Sequence, residues 1–340
     1  MKIKFLPISL VLALGLTACG GASEKKEATE ATQTESHVNH EESDFKYTAD
    51  RFADLRLIRY QVPGFEELSA KKKELLYYLY KAALSGRDIM YDQNFRHNLQ
   101  LRKLFEAIVK NEDQLKDDAE YEKFLVYVKR FWFSNGIHHH YSNNKFEADF
   151  TKEFFAKAVN ELDEASLPLK EGQSKAQMLE ELTEVIFNPT IAPKKVSLDP
   201  EKDLVLESAI NFYGKDVTQA EVEAYYAGLD KVENNPPEYG LNTQLVKKDG
   251  KIVANTWKVG GLYSEAITEI VKWLEKASTV AENEQQKLAL DRLVAYYKSG
   301  NVSDWDAYNI AWVNDTNSRT DVVNGFIEVY NDPLGYKGPF

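Results

Sequence analysis

The chain has 340 residues, enough for one large domain or two ordinary ones. Its 43% hydrophobic and 28% charged content is that of a soluble globular protein. The net charge of −12 is spread along the chain, which argues against a nucleic-acid partner, because phosphate binding needs clustered Lys and Arg.

Residues 1–19 read as a lipoprotein signal peptide. Lys2 and Lys4 form a basic start, and Phe5 to Leu16 is an apolar run too short to span a bilayer. Leu16-Thr17-Ala18-Cys19-Gly20 then resembles the bacterial lipobox, in which the cysteine thiol is acylated and becomes the first residue of the mature chain. Cys19 is the only cysteine, so no disulfide staples the fold. The expected location is the bacterial cell envelope, on a lipid anchor to the membrane. Residues 20–44 are rich in Glu, Thr, Ser, Ala and Lys and nearly free of large apolar residues, and so read as a flexible tether. His40-Glu41 lies there, but nothing in the sequence completes H-E-x-x-H.

From Phe45 the composition is globular. Ser69 precedes Leu75, Leu76, Leu79, Tyr80 and Ala83 at helical spacing, with Gly86 where a C-cap belongs. Phe95 to Val109 and Tyr121 to Phe133 read as two further amphipathic helices. Thr218-Gln219-Ala220-Glu221 is a capping box before a helix ending near Gly228, and Glu265 to Lys276 and Glu282 to Lys298 continue the helical theme. Leu241 to Lys247 and Lys251 to Val259, joined at Asp249-Gly250, read as a β-hairpin. Asn234 to Pro237 marks a loop. Val322 to Tyr330 is dominated by β-branched and aromatic residues and ends at Asp332-Pro333, so a second strand is expected there. The fold class is helix-rich α+β.

Two constellations carry candidate chemistry. His138-His139-His140 suggests a metal, but consecutive residues of regular structure cannot all point at one ion, no cysteine lies nearby, and Glu147 and Asp149 are ordinary carboxylates. A polar loop is the expectation there, with no metal held by this chain. Asp321 and Glu328 flank the late strand; seven residues apart, they would face opposite sides of it.

The stretch Asp321 to Gly338, D-V-V-N-G-F-I-E-V-Y-N-D-P-L-G-Y-K-G, resembles the substrate-binding strand and following turn of the dipeptidyl peptidase III family of zinc exopeptidases. The resemblance extends over nearly all of Phe52 to Gly338. It includes Arg59-Tyr60-Gln61-Val62-Pro63-Gly64-Phe65, Ser85-Gly86-Arg87-Asp88-Ile89, Tyr91-Asp92-Gln93, Phe187-Asn188-Pro189 and Trp257-Lys258-Val259-Gly260-Gly261. Ser134 to Ser142 also resembles a loop of bacterial members that is not their zinc site.

The resemblance implies that residues 45–340 form the lower lobe of a two-lobed peptidase, with a small β-barrel or sheet, cut before the zinc lobe. It implies that Asp321, Val322, Val323, Asn324, Gly325 and Glu328 contact a short peptide substrate. Asp321, four before G-F-I-E, would lie near the substrate's free ammonium group, a charge-assisted contact suited to an enzyme that measures from the N-terminus. Backbone N–H and C=O groups of the strand would pair with the peptide by β-addition. Family members can carry a tyrosine where Val323 stands, so any phenol hydrogen bond is lost here. The family's H-E-x-x-G-H and E-E-x-R/K-A-D, which supply its zinc ligands and general base, do not occur in these residues. Zinc is thus implied for a full-length parent, and no catalytic residue for this chain. The leading expectation is the N-terminal part of a lipid-anchored dipeptidyl peptidase. The alternatives are a non-catalytic peptide-binding envelope lipoprotein and, further off, a transport or adhesion lipoprotein.

Overall fold

The computed structural model describes residues 45–229 and 237–340. The signal, Cys19, the tether and most of the Asn234 to Pro237 loop therefore lie outside the described residues.

Residues from Tyr47 onward form one unit. It opens with a hairpin that sequence reasoning missed: β1 (Thr48–Phe52) pairs antiparallel with β2 (Leu55–Ile58). The turn between them is Ala53-Asp54, with Ala53 at φ +47°; alanine there gives none of the usual Asn-Gly or Asp-Gly signal.

Helices α1 (Ala70–Ser85), α2 (Arg87–Asn94), α3 (Asn98–Lys110) and α4 (Tyr121–Ser134) follow. The Ser69 side chain accepts from the Lys72 N–H at the start of α1, and the Gly86 N–H closes its end on the Ala83 and Leu84 carbonyls. Next come α5 (Lys152–Asn160), α6 (Lys175–Phe187) and α7 (Gln219–Ala227). Both halves of the Thr218/Glu221 capping box form, as they do at Ser174/Gln177 ahead of α6. β3 (Thr243–Lys248) and β4 (Lys251–Thr256) make the expected second hairpin, with Asp249 and Gly250 both at positive φ as its tight turn demands. α8 (Ser264–Thr279), α9 (Glu284–Ser299) and α10 (Val302–Val313) complete the helices.

Two aromatic-rich cores result. One gathers the inner faces of α1 and α7 to α10 around Trp257, Tyr297 and Phe326; the other packs α2 to α6 around Phe105, Phe124, Phe131 and Phe155. The architecture is helix-rich α+β. Among the described residues its β structure is two separate two-stranded sheets rather than a closed barrel.

Val322 to Tyr330 is not a strand. Its backbone is irregular, Phe326 sits at φ +61°, and one backbone bond, from the Phe326 N–H to the Pro339 carbonyl at 2.8 Å, replaces a ladder. Branched and aromatic residues favour strands only where a neighbouring strand offers them a pleated surface, and here the backbone alongside is the irregular tail at Gly338 to Phe340.

Candidate substrate-binding segment

After α10 the chain is stitched to the start of α9. Glu282 accepts the Thr320 N–H at 2.6 Å, the Gln286 amide donates to the Thr320 carbonyl at 2.7 Å, and the Asn283 amide donates to Ser318 at 2.9 Å. This fixes where Asp321 emerges. One carboxylate oxygen of Asp321 accepts the Trp312 indole N–H at 2.8 Å and the Val322 N–H at 2.7 Å, while the residue as a whole is exposed.

The next residues alternate between anchor and display. Val322 packs against the first core, and Val323 is 93% exposed. Asn324 turns inward: its carbonyl accepts from the Tyr297 hydroxyl at 2.7 Å and its amide donates to the Gly325 carbonyl at 2.7 Å. A Cβ on Gly325 would stand 2.9 Å from the Phe340 backbone, so glycine is required for that approach. Phe326 is fully buried, against Trp257 at 5.2 Å, Phe340 at 5.3 Å and Tyr297 at 6.0 Å between ring centres. Glu328 is exposed, and its carboxylate takes a hydrogen bond from the phenol of Tyr330, which holds that proton above its usual range.

Because the segment is irregular, the argument that Asp321 and Glu328 face opposite sides of a strand does not apply. Each carboxylate instead has its own aromatic donor, Trp312 or Tyr330. Of the six residues implied as substrate contacts, Asp321, Val323 and Glu328 are displayed; Val322, Asn324 and Gly325 hold the segment in place. Trp312 and Tyr330 were not among the expected site residues. Both are visible in the sequence, but their pairing depends on where α10 ends and where the segment bends.

The turn that follows is built on one buried carboxylate. Asp332 accepts the Tyr213 hydroxyl at 2.8 and 2.9 Å and the N–H groups of Leu334, Tyr336 and Lys337 at 3.0, 2.8 and 2.7 Å. The buried Lys337 ammonium reaches the Tyr226 hydroxyl and, at 3.0 Å, Thr243 of β3. The Gly338 N–H then donates to the Leu241 carbonyl at 2.9 Å. Replacing Asp332 by Ala strands these donors, and should cost roughly 2–3 kcal/mol of stability, since bonds to a charged acceptor contribute about 1.5–3 kcal/mol. Urea unfolding checks this; a cost below about 1 kcal/mol would contradict it.

The histidine triplet does not converge. His138 is buried, donates through Nε2 to the Ala192 carbonyl at 2.8 Å, and is pushed down to about 4 by that burial, so it is neutral at pH 7. His139 accepts the N–H groups of Tyr141 and Ser142 through Nδ1 at 3.2 and 3.1 Å, and the His140 ring stacks on it. Among the described residues no group of three or more His, Cys, Asp or Glu is disposed to hold a metal ion. The described residues therefore do not fit a zinc centre.

Residues 205–340, which hold the hairpin, α8 to α10 and the displayed segment, match peptidase family M49. Dipeptidyl peptidase 3 of Rattus norvegicus is 24% identical over 71% of this chain and 36% of its own length. That of Nematostella vectensis is 23% identical over 88% of this chain and 46% of its own. Among solved structures, the dipeptidyl peptidases III from Caldithrix abyssi and Corallococcus sp. strain EGB superpose with TM-scores of 0.51 and 0.52 at 19% and 18% identity; each alignment covers 83% of this chain and 40% of the other. The chain is thus similar to dipeptidyl peptidases III over most of its described length, and residues 205–340 carry the match to the peptidase family. It spans between about a third and a half of the length of these relatives.

Proposed function

We propose that this chain forms the peptide-binding lobe of a lipid-anchored zinc peptidase of the dipeptidyl peptidase III type, one that releases dipeptides from the N-termini of short peptides. The observation carrying this reading is a displayed segment on buried anchors. Asp321, Val323 and Glu328 are exposed, while Phe326, Asp332 and Lys337 fix the backbone behind them.

The chain's own residues would supply binding and register. One oxygen of Asp321 is engaged by the Trp312 indole and the Val322 N–H. The other would accept the substrate ammonium, orienting the peptide by its free N-terminus. Backbone groups around Val323 would pair with the peptide main chain irrespective of side chain. Hydrolysis needs three zinc ligands and an activated water, which these residues do not supply. The chain by itself should then release no dipeptide and bind no stoichiometric zinc, which metal analysis of tag-free protein tests. One tight zinc per chain, lost on replacing His138 and His140, would overturn this.

A second reading is a non-catalytic peptide-binding envelope lipoprotein, which the same displayed segment of Asp321, Val323 and Glu328 would serve equally. Reading the gene beyond codon 340 separates the two: an open frame reaching H-E-x-x-G-H supports the peptidase, and an immediate stop supports the binder. For the anchor, Cys19→Ser should release the protein from membranes or block signal processing. A variant that still partitions fully into detergent with unchanged mass would sink the lipoprotein assignment.

A further inference from the structure

The outer face of α1 is an exposed aromatic stripe with basic neighbours. Tyr77, Tyr80 and Leu84 recur at helical spacing and are 52%, 61% and 48% exposed. Isolated apolar residues on a surface need no explanation, but these three are contiguous and continue onto α8. There Trp273 meets the Tyr77 ring edge-on at 6.1 Å and stacks on Tyr78 at 6.0 Å. Lys276 and Lys81 lie over the Trp273 ring at 4.5 and 5.4 Å.

The charge around the stripe runs against that of the chain. α1 carries Lys71, Lys72, Lys73 and Lys81 against Glu74 alone, a surplus of three positive charges in a chain of net charge −12. Glu269 pairs with Lys272 and Glu275 with Lys298, while Lys72 pairs with Glu282, which leaves a surplus of two on α1 once that pair is set aside; Glu74 accepts from the Tyr78 hydroxyl and keeps its charge.

We infer that this face of α1, with Trp273 and Lys276 of α8, rests on an anionic lipid surface. Tyr and Trp rings sit at the boundary of headgroups and acyl chains, with the polar tip in water. Lys81 and Lys276, whose ammonium groups lie over the Trp273 ring, hold positive charge beside it, at the level where lipid phosphates would sit. Helices of this kind bind in the plane of the interface, and anionic lipid strengthens the contact. The inference draws on the lipid-anchor reading for its occupant: Cys19 lies 26 residues before Phe45, a reach of at most about 90 Å. An acylated Cys19 would hold the folded part near the bilayer, where a weak planar contact becomes effective.

The test uses the full chain without an acyl group. In a Cys19→Ser background, Leu84→Cys is labelled with an environment-sensitive nitrobenzoxadiazole, and Tyr141→Cys, in the histidine loop, serves as the control. On vesicles of phosphatidylcholine with phosphatidylglycerol, the label at Leu84→Cys should shift to the blue and brighten several-fold. The response should be weaker on phosphatidylcholine alone, should fall as salt is raised, and should be lost with Lys81→Glu and Lys276→Glu. The label at Tyr141→Cys should stay unchanged. Equal responses at both positions would mean general adsorption and overturn the inference. So would silence at Leu84→Cys, which would assign the face to a protein partner or to more of the enzyme's own chain. Whether Cys19 is acylated in cells is read separately by mass, so either idea can fail while the other stands.

Discussion

Replacing Phe326 by Ala should lower the stability of the folded chain by about 3–5 kcal/mol, the usual cost of deleting a fully buried phenyl ring. The ring fills the space between Trp257, Tyr297 and Phe340. Alanine would leave that space empty and would keep the same strained positive φ. The damage should be largest where the segment is held: the N–H of residue 326, bonded to Pro339, and the Gly338 N–H, bonded to Leu241, should lose hydrogen-exchange protection together. Val323→Ala, three residues away and almost fully exposed, should change stability by no more than about 0.5 kcal/mol. Urea unfolding of both variants decides the matter. A cost below about 1 kcal/mol for Phe326→Ala would mean that the segment is not anchored through this ring.

The second large effect is a dependence on pH set by Lys337. Burial pushes this ammonium from its ordinary value of 10.5 down to about 7, only partly opposed by the Asp332 carboxylate. The groups facing it from other elements are neutral: the Tyr226 hydroxyl of α7, the Thr243 hydroxyl of β3 and the Tyr213 ring. Between pH 7 and 10.5 the unfolded chain holds a proton that the folded chain has released. Unfolding therefore takes up a proton there, and stability rises with pH across that window. The penalty is complete below pH 7 and gone above 10.5; it amounts to on the order of 5 kcal/mol, by the equivalence of one pH unit with about 1.4 kcal/mol. Unfolding free energies at pH 7 and 9.5 should accordingly rise for the parent and much less for Lys337→Met. Parallel profiles for the two proteins would contradict this account of the buried lysine.

The sequence made the helices legible because their boundaries are set locally. Ser69, Gly86 and the Thr218/Glu221 pair bond within their own turns, so caps read from the chain are the caps found. The β3–β4 hairpin was equally local, through Asp249-Gly250. The first hairpin was not, because Ala53 adopts a positive φ that alanine does not advertise. Val322 to Tyr330 failed in the other direction. Its residues suit a strand, but strand formation depends on a partner, and Phe326 is drawn instead into an aromatic pocket formed by Phe340, Tyr297 and Trp257, which lie 14 to 69 positions away. In the candidate segment, type and resemblance singled out Asp321 and Glu328, and both are exposed. Their partners Trp312 and Tyr330 could not be picked out, because they depend on the bend after α10. The histidine triplet was ambiguous for a related reason: whether three rings converge is decided by the Ala192 carbonyl and the loop backbone, not by their adjacency.

The central claim is that the displayed segment reads a free N-terminus through Asp321. It is tested most directly by ligand-observed nuclear magnetic resonance, with a short peptide against the same peptide N-acetylated. Binding will be weak, since exposed ion pairs contribute only about 0–1 kcal/mol, so a method sensitive to millimolar contacts is needed. The free peptide should show saturation transfer from the protein, strongest at its first two residues. The signal should fall several-fold on acetylation and by a similar factor with Asp321→Asn, and the acetylated peptide should not distinguish the two proteins. Equal transfer to free and acetylated peptides, or full retention by Asp321→Asn, would contradict the role assigned to this carboxylate.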